Sequence, residues 1–541
     1  MPMKRLLLVW MMILCLLPVA TMAEENTDPL YPIRVNGLWG YMNRAGEVVI
    51  EPQWGYAWPF DGETALVSTY YPADLSDDPP SGDGVIDRGG HYVITPTENI
   101  YVETYPFAYR VWFYNGNDNE SYEGFYDRIS GFYQPPEAEY HDVMLWGDDG
   151  TGPIAIRNRK GLTGYVDRTN GEIVIPFVYT GESMDVAFHD GYARPADEIW
   201  ITDANGITMM HGSEMHLIDK HGNEITFPSG IKPVSAVENG YLICMVEIEG
   251  LEWEDDPEME DDEEWTGEED PEDGWYLGDG TQIALPLYRV DRITGNREEL
   301  EDPDSIWEED ETCHGYALAM IDGTIVSEPD PDIAYMWLPD SDGMVCVVSY
   351  DSTCGHMDLQ GNIVVSPRYV IDFGGGEIFY YFKHGYAVIE DCGEDFPDSY
   401  RWVIIDTAGN EVFSSLGALD VDDSFDICDQ VIANGLFWYH TASGYGLMKL
   451  NDHGAEFVCD PIYEASIGCG MYENADEMEF SEGLHPVKQN GLWGYINEQA
   501  EWVIPPQYDS AASFRDGLAL VEQDGKLSYI DHDGTVVWEE R

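Results

Sequence analysis

A bend made of Asp or Asn, a short gap and glycine recurs along the chain between short apolar stretches. Two copies begin nearly identical phrases, NGLWGYMNRAGEVVIEP at 36–52 and NGLWGYINEQAEWVIPP at 490–506. An Asx side chain accepts hydrogen bonds from backbone N–H groups two residues on, and glycine tolerates a positive φ, so the bend predicts a β-hairpin. The Asx residues stand at 43, 87, 127, 167, 219, 291, 358, 406, 451, 497 and 531. Most are 34 to 52 residues apart, which indicates one repeated supersecondary unit.

Each unit contains further shared features. Short β-branched stretches such as Val48-Val49-Ile50 flank the bend, as in buried strands. A proline and an aromatic residue follow, and the proline is predicted to end the strand because it has no N–H to donate. A lead-in to glycine and another apolar strand comes next, as in FDGETALV at 60, CHGYALAM at 313, KHGYAVIE at 383 and FRDGLALV at 514. Ala500 stands where the bend has glycine elsewhere, which predicts a slightly different turn there.

These features predict an all-β fold of tandem antiparallel units with three or four strands each, arranged as a propeller-like or an open curled array. The array spans 24–541 with about 11 to 12 units, the twelfth from a degenerate turn at Asp322-Gly323. An open stack usually has atypical terminal units, whereas here the termini carry the most regular copies. That favours ring closure or edges covered by partners. Eleven units nevertheless exceed the usual four to eight blades of one ring.

Two stretches resemble a known repeat family. GLWGYMNRAGEVVIEPQW with FDGETALV, and GLWGYINEQAEWVIPPQY with FRDGLALV, are similar to the WG-containing (KWG) β repeats of many bacterial, often exported, proteins. Residues 160–195 are also similar, with Leu162-Thr163-Gly164-Tyr165 in place of the Trp-Gly core. The resemblance implies a non-catalytic repeat scaffold for interactions and carries over no functional residues.

The N-terminal segment predicts export. Lys4 and Arg5 precede an apolar run over 6–17, and Thr21-Met22-Ala23 follows it. This is the pattern of a secretory signal peptide, residues 1–23, cleaved after Ala23. No second apolar run is long enough to span a bilayer. We therefore expect a secreted or cell-surface protein.

Charge excludes some partners. The chain has 104 Asp and Glu against 25 Lys and Arg, a formal net charge of −79. Phosphate backbones and anionic lipid surfaces repel such a chain, so nucleic-acid and membrane-surface binding are not expected. The tract at 252–273 is predicted to be a disordered acidic insertion. Divalent cations remain open as partners: the acidic clusters at 74–84, 252–273 and 328–332 would allow weak Ca²⁺ binding, but none has the EF-hand order.

Cysteines give an ambiguous signal. After removal of Cys15 with the signal peptide eight remain, all between 244 and 469, and none forms a C-x-x-C pair. An exported chain permits disulfides. The two interpretations are one or two local bridges, and free buried thiols that pack as small apolar residues.

Aromatic residues provide the candidate binding groups. Trp39 and Trp493 repeat at one point of the unit, which favours a core layer over a sugar-stacking surface. Aromatic residues that break the repeat are better candidates for an exposed patch. They are Tyr109 to Asn115, with the sequence YRVWFYN, and Trp253, Trp265 and Trp275 around the acidic insertion.

No nucleophile, metal or nucleotide motif is present, so no catalytic, cofactor-binding or metal-binding residue is assigned. His314 and His384 stand at the same place of the repeat, just before glycine, which indicates a structural position. The main hypothesis is an exported, non-catalytic scaffold that binds a protein or a cell-envelope glycan. One alternative is a carbohydrate-active enzyme on a β-propeller scaffold, because two of the 104 Asp and Glu residues could form a catalytic pair. The other is a calcium-responsive structural envelope protein.

Overall fold

The fold is built almost entirely from short antiparallel strands, as the sequence predicts. The computed structural model describes residues 28–69, 82–115, 120–137, 139–202, 204, 208–248, 275–276, 282–283, 287–290, 294, 296–300, 314–370, 381–392, 401–415, 426–451, 454–466 and 478–541. In these ranges the only complete helical element is a 3-10 turn, Ala433–Gly435. The predicted signal peptide and the acidic insertion at 252–273 lie outside the described residues.

In the described part of the chain, eleven small sheets follow one another, and we number them as blades 1 to 11. Blades 1 and 2 comprise β1 (Leu30–Val35), β2 (Leu38–Asn43) and β3 (Val48–Trp54), then β4 (Tyr56–Ala57), β5 (Thr64–Ser68), β6 (Asp83–Asp87) and β7 (Tyr92–Ile94). Blades 3 and 4 comprise β8 (Ile100–Thr104), β9 (Ala108–Asn115), β10 (Glu120–Asp127) and β11 (Tyr133–Glu137), then β12 (Tyr140–Met144), β13 (Ile154–Asn158), β14 (Thr163–Val166) and β15 (Ile173–Tyr179). Each sheet is ordered as its strands occur in the chain.

Blades 5 and 6 carry insertions that share one sheet. Blade 5 is β16 (Tyr192–Ala193) with β19 (Ile218–Asp219), and blade 6 is β20 (Ile231–Pro233), β21 (Tyr241–Glu247) and β26 (His314–Met320). The inserted sheet has the order β18-β17-β24-β25, formed by β17 (Ala196–Thr202), β18 (Thr208–Met215), β24 (Tyr288–Val290) and β25 (Arg297–Glu299). A separate two-stranded hairpin pairs β22 (Trp275–Tyr276) with β23 (Gln282–Ile283). The insertions of the two blades are therefore joined through the pairing of β17 with β24.

Blades 7 to 11 return to the regular pattern. Blades 7 and 8 comprise β27 (Ile333–Met336), β28 (Met344–Ser349), β29 (Thr353–Asp358) and β30 (Ile363–Val370), then β31 (Tyr386–Asp391), β32 (Arg401–Asp406) and β33 (Glu411–Ser414). Blade 9 comprises β34 (Asp426–Ile432), β35 (Leu436–Thr441), β36 (Gly444–Asn451) and β37 (Gly454–Tyr463). Blades 10 and 11 comprise β38 (Ala465–Ser466), β39 (His485–Gln489), β40 (Leu492–Ile496) and β41 (Trp502–Tyr508), then β42 (Ser510–Ala511), β43 (Ala519–Gln523), β44 (Lys526–Ile530) and β45 (Val536–Glu539).

The core consists of apolar clusters between neighbouring blades. Val85 of blade 2 packs with Val111 of blade 3, and corresponding clusters join each later blade to the next. A further cluster joins the two ends of the array, with Ile33 of blade 1 against Leu518 and Tyr529 of blade 11. Each blade therefore buries both of its faces against other blades.

Polar contacts also link blade 11 to blade 1. The Tyr31 hydroxyl donates to the carbonyl of Asp516 at 2.6 Å, and the Tyr529 hydroxyl donates to the carbonyl of Pro32 at 3.0 Å. Arg34 forms an ion pair with Glu540 at 2.7 Å. We call this junction the seam. The array is a β-propeller, and the seam favours the closed form among the predicted alternatives.

The prediction that proline ends a strand is wrong. Pro52 lies inside β3 and Pro367 lies inside β30. In blade 1 the pairing passes from Trp39↔Trp54 to Tyr41↔Ile50, so the last strand bulges at the proline. That strand lies at the sheet edge, where a missing N–H costs no ladder hydrogen bond. A Cβ on Gly40 would lie 2.5 Å from the Ile50 oxygen, so the Trp-Gly glycine makes room for the bulge.

The predicted bends form Asx turns. Asp358 accepts the N–H groups of Gln360 and Asn362 on its Oδ1, both at 2.9 Å, and Gly361 has a φ of +78°. Asn497 makes the same contacts, and Ala500 adopts a φ of +56°, so that turn is the same and not different as predicted.

Two predicted bends do not correspond to a separate blade of the ring. Asp291 lies outside the described residues, and the strands on either side of it, β24 and β25, pair with each other in the inserted sheet. The turn at Asp322-Gly323 instead follows the last full strand of blade 6, with the Gly323 N–H on the Met320 carbonyl at 2.9 Å. The degenerate turn therefore serves blade 6 and adds no twelfth blade.

Candidate functional site

The Trp residues of the two Trp-Gly copies lie at the junctions between blades. Trp39 is 5% exposed and packs against Tyr56 with ring centroids 4.9 Å apart. Trp493 is half-buried against the apolar cluster between blades 10 and 11. Both positions agree with the core interpretation. Trp253 and Trp265 lie outside the described residues, and Trp275 begins β22.

Blade 3 exposes the aromatic residues that break the repeat. The strands β9 and β10 are eight residues long, and Trp112 and Tyr114 on β9 are 38% and 40% exposed. Tyr101 on β8 lies directly opposite Trp112 in the register, with the ring centroids 5.5 Å apart. We call Tyr101, Trp112 and Tyr114 the aromatic patch. Trp112 and Tyr114 come from the predicted YRVWFYN segment. The sequence did not point to Tyr101, because only the pairing of β8 with β9 brings it next to Trp112.

A charged cluster supports this patch from beneath. The Arg110 guanidinium lies 5.6 Å from the centre of the Trp112 ring and donates to Glu123 and Asp142, each at 2.8 Å. Glu123 is buried and also accepts the backbone N–H of Val143 at 2.7 Å. Burial disfavours the charge on Arg110, but the bonds to Glu123 and the attraction of Asp142 outweigh it and raise the pKa of Arg110. A guanidinium that stays charged therefore lies over one face of the Trp112 ring and holds the ring in place by a cation–π contact.

The opposite face of the same hairpin is aromatic as well. Phe113 and Tyr122 are paired in the register and stack with an interplanar angle of 7° and centroids 6.3 Å apart. Arg159 from the turn after β13 lies 5.0 Å from the centre of the Tyr122 ring. This end of blade 3 therefore presents aromatic side chains on both faces of its sheet.

Acidic side chains connect the lead-in turns of neighbouring blades. Asp190 accepts the N–H of Gly240 at 2.6 Å, Asp342 accepts that of Gly385 at 2.8 Å, and Glu482 accepts that of Gly517 at 2.9 Å. Each carboxylate belongs to the blade before the glycine that it contacts. These acids are therefore used within the ring, as bridges between its blades.

Histidines also form contacts between blades. His189 of blade 5 contacts Glu238 of blade 6. Burial lowers the pKa of His189, but the bond to Glu238 and the charge of Asp149 outweigh that effect, so its pKa is raised. His384 lies in a lead-in turn with a φ of +55° and contacts Glu479 at 2.8 Å. His314 begins strand β26, so the prediction that it shares the position of His384 is wrong.

The acidic clusters considered for calcium form turns where the structure describes them. In the cluster at 328–332, Asp330 accepts the N–H of Asp332 at 3.0 Å. Among the described residues no group of three or more His, Cys, Asp or Glu side chains could hold a metal ion. Most of the cluster at 74–84 lies outside the described residues.

The described cysteines are free thiols. Cys244, Cys346, Cys354 and Cys392 are buried, and Cys428 and Cys459 are half-buried. Burial raises the pKa of Cys244 to about 12. Cys313 and Cys469 lie outside the described residues. Of the two sequence interpretations, the six described cysteines fit the one with free thiols.

Comparison with known proteins identifies the repeat. A family model of the WG containing repeat matches residues 39–69, 164–194 and 493–526. The chain therefore contains three copies of the WG repeat. The matches fall on the stretches predicted from the Trp-Gly phrases. Each WG match runs from the later strands of one blade into the first strands of the next, so the WG repeat spans a junction between blades.

Solved structures resemble the chain at low identity. A eukaryotic initiation factor is 10% identical over 77% of this chain and 93% of its own, with a TM-score of 0.30. The tricorn protease is 10% identical over 92% and 49%, with a TM-score of 0.22. BamB from Moraxella catarrhalis is 11% identical over 70% and 94%, with a TM-score of 0.20. No curated protein sequence matches the chain. None of the described segments forms a helix long and apolar enough to cross a membrane.

Proposed function

We propose that this WG-repeat protein is an exported, non-catalytic scaffold that binds a protein or a cell-envelope glycan on the surface of its ring. The observation that carries the proposal is the aromatic patch, where Trp112 and Tyr114 on β9 are 38% and 40% exposed and Tyr101 lies opposite Trp112 on the paired strand β8. Exposed aromatic rings on a rigid sheet give a large contact area at a small cost in conformational entropy, as in glycan and protein recognition. The apolar cluster between blades 3 and 4 fixes that sheet from behind.

A non-catalytic role is supported by how the chain uses its carboxylates. Asp190, Asp342 and Glu482 accept backbone N–H groups between blades, and Asp358 accepts two in its own turn. Glu123 accepts hydrogen bonds from Arg110 and Val143. A general acid or nucleophile needs a carboxyl group that can reach a substrate. These five side chains act in the architecture instead.

The partner is expected to be neutral or basic. The formal net charge of −79 opposes the approach of polyanions and favours basic protein surfaces and neutral sugars. Export is supported by the pattern of the first 23 residues, and extracytoplasmic glycans and proteins would then be within reach.

A binding screen with matched tryptophan variants tests the proposal. The secreted protein is presented to a glycan array, to polysaccharides and to envelope protein extracts, with and without calcium. Trp112→Ala should abolish the strongest binding, whereas Trp146→Ala should leave it unchanged, since Trp146 is 76% exposed but lies outside the patch. Equal binding by the two variants would refute the role of the patch. Turnover of a polysaccharide would instead favour a carbohydrate-active enzyme, and binding only with calcium would favour a calcium-responsive protein.

A further inference from the structure

In three blades a strand of two residues precedes the first full strand, and blade 1 has no such strand among its described residues. In blades 2, 10 and 11 this strand is β4, β38 or β42, and it pairs with the strand that follows it. The pairs Ala57↔Val67, Ser466↔Val487 and Ala511↔Val521 show the shared register. Ile33 on β1 corresponds to Val487 and Val521. The described sheet of blade 1, however, has the order β1-β2-β3, with no described strand before β1. One edge of β1 is thus left without a described strand.

A tyrosine contact accompanies the two-residue strand in blades 2 and 11. The hydroxyls of Tyr41 and Tyr495 donate to the carbonyls of Trp58 and Ala512 in the next blade, both at 2.8 Å. Their rings pack on Phe60 and Phe514, with centroids 4.8 and 4.9 Å apart. In each case the phenylalanine and the carbonyl belong to the segment that follows the two-residue strand.

Tyr529 of blade 11 is the equivalent tyrosine at the seam. Its hydroxyl donates to the Pro32 carbonyl at 3.0 Å, and its ring meets Tyr31 edge-on at 5.4 Å. In blade 11 the carbonyl equivalent to that of Pro32, on Leu520, accepts the N–H of Ala512 at 2.9 Å. Tyr529 therefore bonds the backbone atom that a lead-in segment would have used.

A cavity lies at the place of this segment. It has a volume of about 640 Å³ and lies between the first strands of blades 2 and 11, lined among others by Trp39, Tyr56, Ala57, Ala511 and Phe514. The Trp39 side chain is 5% exposed, and its buried indole N–H has no hydrogen-bond partner among the described residues. A buried donor without a partner is costly, so a ligand carbonyl in this cavity would be stabilising.

Blades 2 and 11 show which chemistry fits. Their own segments read Ala57-Trp58-Pro59-Phe60 and Ala511-Ala512-Ser513-Phe514, a small residue on the strand and phenylalanine three positions later. Ala57 precedes Thr64 by seven residues, and Ala511 precedes Leu518 by the same number. Leu30 of blade 1 corresponds to Thr64 and Leu518. Seven residues before Leu30 stands Ala23, and the residue that corresponds to Phe60 and Phe514 is then Asn26. The preceding sequence of this chain therefore lacks the aromatic anchor.

We propose that the seam binds an extended peptide of a partner protein, with an Ala-x-x-Phe core and basic flanks, which pairs with β1 as the first strand of blade 1. Main-chain hydrogen bonds to β1 would give affinity, and the phenylalanine in the cavity would give specificity. Pro32 does not prevent pairing, because Pro486 holds the same position in β39 and β38 still pairs there. Basic flanks fit the net charge of −79. The site uses none of the residues of the aromatic patch.

Peptide titration of the intact secreted chain tests this inference. The probe is the fluorescent peptide Lys-Ser-Ala-Ala-Ser-Phe-Arg-Lys, and its control has alanine in place of phenylalanine. Binding should be saturable and at least about tenfold weaker for the control. Trp39→Phe keeps an aromatic side chain but removes the indole N–H, and it should weaken binding about fivefold. Ala512→Trp should block the cavity, and it should fold because Trp58 holds the equivalent position in blade 2.

Several outcomes would overturn the inference. They are no binding by the folded chain, equal binding of both peptides, and binding that Ala512→Trp leaves unchanged. Deletion of residues 24–29 provides a separate arm: binding only after that deletion would make the protein's own N-terminal segment the occupant. Melting temperatures verify that each variant folds. Trp112→Ala should leave peptide binding unchanged, so this site and the aromatic patch fail or succeed independently.

Discussion

The Glu540 carboxylate accepts two hydrogen bonds from the Arg34 guanidinium, at 2.7 and 2.8 Å, although 506 positions separate the two residues. The pair joins β1 to the end of the last blade and is largely shielded from solvent, with side-chain exposures of 24% and 14%. It supports the seam together with the apolar contacts of Tyr31 and Tyr529. Its removal is therefore a direct test of closure.

We expect Arg34→Ala to lower the free energy of unfolding by about 1–2 kcal/mol, because a bidentate charge-assisted pair is lost. A double-mutant cycle with Glu540→Ala, measured by urea unfolding, gives the coupling. The control pair is Arg289 and Glu214, at 3.2 Å and about half exposed, for which at most about 0.5 kcal/mol is expected. Equal couplings for the two pairs would argue against a closed seam in solution.

The glycine of the Trp-Gly phrase should be far less tolerant than a turn glycine. A Cβ at Gly40 would lie 2.5 Å from the Ile50 oxygen and 2.6 Å from the Pro52 nitrogen, so Gly40→Ala should cost about 2–4 kcal/mol. Gly62 has a φ of +63° and nothing within 4 Å of an added Cβ. Gly62→Ala should cost only about 1 kcal/mol. Thermal unfolding of the two variants compares them, and similar losses would contradict the packing role of Gly40.

Ala500→Gly should stabilise the protein. Ala500 has a φ of +56° at the position where the other Asx turns have glycine. Relief of that left-handed conformation is worth about 1 kcal/mol, partly offset by the greater chain entropy of glycine in the unfolded state. Ala45 lies in the equivalent turn of blade 1, one residue before its glycine, and Ala45→Gly should be neutral or destabilising. A lower melting temperature for Ala500→Gly than for the parent would refute the strain.

His485 should make stability depend on pH below neutrality. Its ring is fully buried, with Nε2 2.8 Å from the Ser466 hydroxyl and its centroid 4.8 Å from that of Trp438. Burial disfavours the imidazolium and lowers the pKa of His485 to about 4. The unfolded chain binds this proton at a pKa of about 6.5, so stability is lost as pH falls from about 6.5 to about 4.

The His485→Gln variant isolates this contribution from that of the many carboxyl groups. Relative to the variant, the parent should lose up to about 1.4 kcal/mol of unfolding free energy per pH unit in that window, on the order of 3 kcal/mol in all. Urea unfolding at pH 7.5, 6, 5 and 4.5 measures the difference. Parallel pH profiles for the two proteins would mean that the imidazole is accessible to protons in the folded state.

Local chemistry determined which features could be predicted from the sequence. The Asx turn at Asp358 depends on residues within four positions, so its pattern is visible in one stretch. The bulge at Pro52 was missed because it depends on the edge position of β3. The pairing of β17 with β24, and the contact of Arg34 with Glu540, join distant segments that share no pattern. In the aromatic patch, the sequence pointed to Trp112 and Tyr114 but not to Tyr101, which strand pairing places beside them.

The seam also affects how the chain can be rearranged. Tyr31 and Tyr529 lie in contact, so the two ends of the described chain meet in neighbouring blades. A circular permutant that joins these ends by a short linker and opens at the exposed Asn490-Gly491 turn would trace the same circuit of strands. The same set of contacts between blades can thus be encoded from more than one starting point in the gene.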